Sequence, residues 1–170
     1  QPVGIFYSKK YNLIILHALT SVKGLEWGLA EQILQLSKLL DAKEVISIEG
    51  IGSTNVKSNN VYYLSKSKKT VSKLGLNELK EGVVVGVTGA LLLKTDMPHF
   101  SLFAETTTGL PDSRAAANVI KALDSYLNLK VDYKPLLKKA DEFEKKIQGI
   151  VGKNKETLDM QDQKEVNYVG

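Results

Sequence analysis

With 170 residues, 43% of them hydrophobic and 25% charged, the chain is long enough for one well-buried domain and too short for two comfortable ones. It has no cysteine, which excludes a disulfide framework and any thiolate metal site and agrees with a reducing interior. The net charge is a modest +4; apolar runs stay at about 5 to 8 residues, far below the roughly 20 needed to span a bilayer, and no signal-like start is visible, so a soluble cytoplasmic protein is expected.

Residues 12–19, NLIILHAL, form a continuous apolar run of the kind expected for a strand buried on both faces. A helix should follow, because Leu25, Leu29, Ile33, Leu36 and Leu40 recur at spacings of three and four and make one stripe facing a core. Glu44 to Ile48 reads as the next strand and ends in the glycine-rich EGIGSTN. Asn60 to Ser65 is a third extended piece and Gly82 to Thr88, GVVVGVT, a fourth. Gly89 to Lys94 opens a short helix, and Phe100 to Thr106 returns to strand. Strands separated by helical segments predict an α/β fold with a mainly parallel sheet covered on both sides.

Two helices then close the domain. The first is expected to start at Asp112, a good N-cap after Pro111, and to bury Ala116, Val119, Ile120, Leu123 and Leu127. The second carries Pro135 in its opening turn, where a missing amide costs nothing, and places Leu136, Leu137, Ala140, Phe143 and Ile147 on one face. After Gly149 and Gly152 the sequence turns polar, with scattered apolar residues. This divides the chain into one α/β domain over residues 1–148 and a flexible tail over 149–170.

Several candidate chemistries can be weighed against plainer readings. EGIGSTN supplies G-x-G but places Asn55 where a dinucleotide fingerprint needs its third glycine. His17 and His99 lie far apart, with no spacing that holds a metal; His17 reads as a core residue and His99, after Pro98, as a surface one. Six lysines between Lys57 and Lys80 face a single acid, Glu78. A nucleic-acid site would favour arginine, and the only arginine, Arg114, lies outside this cluster, so the lysines read as a solvated basic face. Glu105, with Thr106, Thr107 and Thr108, sits at the end of a predicted strand, where open α/β sheets place ligands, and a desolvated carboxylate there would act as a base. A scaffold role needs less: Glu105 bonds loop amides or Arg114, the threonines satisfy the turn and Gly109 relaxes the backbone.

The order VISIEGIGS, GVVVGVTGALLL and AETTTGLPDSRAAANVIKALDSYLNLKVDYKPLLKKADEFEKKI resembles the proteasome assembly chaperone 2 family, especially its archaeal members. The specific part is the turn and helix containing Glu105, Thr106, Gly109, Asp112 and Arg114, followed by VDYKPL. The resemblance runs from about Phe6 to Ile147. It implies a three-layer α/β/α fold similar to purine nucleoside phosphorylases, without established catalysis and with no cofactor. It further implies a homo-oligomer in archaeal members that holds the α-subunits of the proteasome core particle during ring assembly, with neither nucleic acid nor membrane as partner.

In the family, a C-terminal tail ending hydrophobic-tyrosine-any residue docks between α-subunits. Here two residues, Val169 and Gly170, follow Tyr168, and Asn167 replaces the hydrophobic position. A polar tether presenting Tyr168, Val169 and the carboxylate of Gly170 still has the parts of a small anchor: ring, aliphatic contact and charge. Family members usually carry a further N-terminal strand and helix, for which no counterpart is expected here. Three functions remain open at this point: an α-ring-binding assembly chaperone, an enzyme with a phosphorylase-like site around Glu105, Thr106 and Thr107, and a nucleic-acid module using the lysine-rich stretch. The first alone uses the tail and needs no catalytic partner, so Glu105 to Gly109 is expected to be scaffold.

Overall fold

A computed structural model describes residues 3–18, 22–52, 60–67, 74–106, 112–143 and 145–146. Its centre is the strand His99–Thr106, designated β6, in which every residue from His99 to Ala104 is buried. β6 is flanked by β3 (Val45–Gly52), which runs parallel to it, and by β4 (Val61–Ser65), which runs antiparallel. A two-residue strand β5 (Asn77–Glu78) pairs parallel with β4, completing a sheet of order β3-β6-β4-β5. Two of its pairings are parallel, as expected for a mainly parallel sheet, and the antiparallel β4–β6 pairing makes it mixed. Parallel neighbours need a crossover of about a dozen residues or more, usually through a helix. The short link 53–60 between β3 and β4 suits a return in the opposite direction.

Helices cover both faces of this sheet. On one face, α1 (Glu26–Leu39) and α2 (Gly86–Lys94) pack Ala30, Ala90 and Leu91 together with Ile33, Leu34, Val87 and Val45 of β3. On the other, Ala115 and Val119 of α3 (Ser113–Leu127) close over Val61, Phe100, Leu102 and Ala104. α3 starts where expected. The Asp112 carboxylate accepts from the amides of Arg114 and Ala115 at 3.0 and 2.8 Å, satisfying two of the donors that a helix start leaves open. It ends at Asn128 in the left-handed conformation. Val119 is buried and Ile120, Leu123 and Leu127 half-buried, but Ala116 is exposed and the close helix-to-sheet approach is made by Ala115 and Ala117. A last helix, 134–143, begins around Pro135 and buries Ala140, while Phe143 is exposed.

Two strand expectations are overturned. GVVVGVT is not a strand: 82–85 is irregular and α2 begins at Gly86, whose φ of 71° ends the extended path as few other residues would. The chain then turns back tightly, since a Cβ at Gly89 would lie 2.8 Å from the carbonyl oxygen of Val84. The apolar run 12–19 is not an inner strand of the main sheet. Its residues Leu13–Ala18 form β2, paired antiparallel with β1 (Val3–Ser8) in a separate two-stranded ribbon. The turn Lys9 to Asn12, with Asn12 at φ 49°, brings the two strands together locally, and the sequence neighbour captures the run before any distant strand can. In α1 the stripe is narrower than expected: Leu29, Ile33 and Leu36 are half-buried, Leu25 and Leu40 are exposed, and Ala30 makes the closest contact.

Candidate functional site

Side chains alternate along a strand, so β6 presents Phe100, Leu102 and Ala104 to α3 and His99, Ser101, Phe103 and Glu105 to the opposite face. The α3 face is a hydrophobic core. Phe100 meets Tyr126 edge to face, with ring centroids 5.1 Å apart at 78°. The Tyr126 hydroxyl donates to Glu44 at 2.8 Å. Burial first, then the hydrogen bond and negative charge of Glu44, push the phenol up to about 12.

The opposite face is polar at its middle. The β3–β6 register sets Val45 beside His99 and Ser47 beside Ser101. Ser47 Oγ lies 3.1 Å from His99 Nε2 and 2.7 Å from Ser101 Oγ, forming a chain of three side chains. His99 is only 7% exposed, which corrects its reading as a surface residue. Burial, and secondarily the positive charge of Lys66, lower its pKa to about 4, so the imidazole is neutral at pH 7. A hydroxyl at 3.1 Å from a neutral imidazole has the spacing of a nucleophile and its base. Yet the half-buried Ser47 hydroxyl is also bonded to the fully buried Ser101, and among the described residues no carboxylate hydrogen-bonds to the imidazole. The simplest chemistry for this chain is mutual satisfaction of buried polar groups, which fixes the β3–β6 register. Nothing in the sequence marked Ser47 and Ser101 as partners of His99, because 52 residues separate Ser47 from the histidine.

Glu105 stands at the carboxyl end of β6 as expected, and its carboxylate is engaged. One oxygen accepts from the amide of Asn60 at 3.1 Å and the other from the Tyr62 hydroxyl at 3.3 Å. The Glu105 amide donates back to the Asn60 carbonyl at 3.0 Å, so the residue clamps the start of β4 to the end of β6. Thr106 Oγ1 donates to the Ile51 carbonyl at 3.4 Å across to β3. Arg114 donates to Asp141 at 2.6 Å, linking α3 to the last helix, where a pair with Glu105 was expected. Arg114 lies in the first turn of α3, from which its guanidinium reaches Asp141 of the last helix. Thr107, Gly109, Tyr168, Val169, Gly170 and, of the lysine-rich stretch, Lys57, Lys68, Lys69 and Lys73 fall outside the described residues.

His17, expected in the core, is exposed on the β1–β2 ribbon. Among the described residues no cluster of three or more histidines and carboxylates is arranged to hold a metal, and no helix is long and apolar enough to cross a membrane.

The profile of the PAC2 family matches residues 1–151. An uncharacterized protein of Methanocaldococcus jannaschii is 29% identical over 154 residues, which are 88% of this chain and 63% of the relative. The chain thus spans less than two thirds of that relative's length. Among solved structures, Pyrococcus furiosus PbaA, described as an archaeal homolog of proteasome-assembly chaperone, superposes with a TM-score of 0.83 at 29% identity over 99% of this chain and 74% of its own. P. furiosus PbaB, described as an archaeal proteasome activator, shares the fold at a TM-score of 0.71 and 23% identity, over 81% of this chain and 64% of its own. From the profile match along most of its length, the chain belongs to the PAC2 family.

Proposed function

We propose that this protein is a non-enzymatic proteasome assembly chaperone or α-ring-binding factor. It works as a homo-oligomer that holds core-particle α-subunits, and its C-terminal residues Tyr168, Val169 and Gly170 anchor it to them. The observation that carries the reading is the likeness to PbaA over nearly the whole chain, at an identity high enough to bear on more than fold. The engagement of Glu105 points the same way. A base needs a carboxylate available to a substrate proton, and here both oxygens hold the β4–β6 junction.

In this role the globular part is a rigid carrier and the tail a tether. A tyrosine ring, a valine and a terminal carboxylate make a weak anchor singly, and several copies facing a symmetric ring gain by effective concentration. Co-sedimentation of the full chain with a purified α-subunit ring, beside a version lacking residues 168–170, tests this. Binding lost on truncation is expected. Binding that survives truncation would move the contact to the globular surface, and no binding by either would overturn the reading.

A further inference from the structure

We draw no further inference here: the strongest candidate, the buried carboxylate oxygen of Glu49 on β3, beside Phe103 of β6, is a single atom of a half-buried residue on a strand that runs directly into residues outside the described set, and nothing in the structure shows what meets it.

Discussion

Strands β2 and β6 are close in composition and opposite in circumstance. Each carries a single histidine among apolar residues, aliphatic in β2 and half aromatic in β6. In β6, Phe100, Leu102 and Phe103 are inaccessible or nearly so, and His99 is bonded to Ser47. In β2 and its partner β1, Phe6 is 59% and Ile15 50% exposed, and His17 faces outward. The difference lies in position within the fold. β6 has a strand on each side and helices above and below, whereas among the described residues the ribbon pairs only with itself. Apolar content states that a strand must be covered; it does not state whether the cover comes from the same chain or from another.

The most severe way to press this comparison is to truncate the same side chain in both regions. Phe100→Ala should cost about 3–5 kcal/mol, independent of protein concentration, because it empties a filled site beneath α3. Phe6→Ala should cost less than about 0.5 kcal/mol in dilute protein. Denaturant unfolding at two concentrations reads both, and equal losses would mean that the ribbon is packed after all.

The two histidines sharpen it next. The pKa of His99 falls from 6.5 to about 4 on folding, so the native state disfavours its charged form. This contribution to stability is complete above pH 6.5 and is lost as pH falls toward about 4. Its size is roughly 3 kcal/mol at most. The stability–pH curve of His99→Gln should lose that slope, while His17→Gln should keep it; a slope unchanged in His99→Gln would contradict the burial argument.

Smaller effects concern the elements that hold β6 in place. Asp112→Ala removes the cap that accepts from two amides and should lower stability by about 1 kcal/mol, with Asp112→Asn largely restoring it in thermal melts. Arg114→Ala breaks a half-exposed ion pair with Asp141 and should cost less than about 1 kcal/mol, declining further in high salt. A salt-independent loss several times larger would show that Arg114 supports the β6–α3 turn by more than this pair.

Local signals were readable from sequence where local physics decides. Asp112 after Pro111, the apolar spacing of Val119, Leu123 and Leu127, Pro135 in a first turn and the strand Phe100 to Thr106 all appear as expected. That Glu105 would bond a loop amide was also legible, although neither Asn60 nor Tyr62 could be named as the partner. Asn60 and Tyr62 come from β4, and only the antiparallel register of β4 on β6 brings them there. The Ser47–His99–Ser101 chain was hidden for the same reason, since a parallel register across 52 residues leaves no spacing in the sequence. Val83 to Val85 shows the limit of composition: three β-branched residues favour a strand, yet Gly86 and the burial of Ala90 and Leu91 carry the segment into a helix.

Whether this protein promotes the joining of proteasome α-subunits is the most direct test of its proposed role. Purified α-subunits, mixed with the full chain and followed by native mass measurement, should form rings in higher yield than without it, with Glu105→Gln protein as effective as the unaltered chain. An unchanged ring yield with no chain–subunit complex at any ratio would contradict the chaperone role.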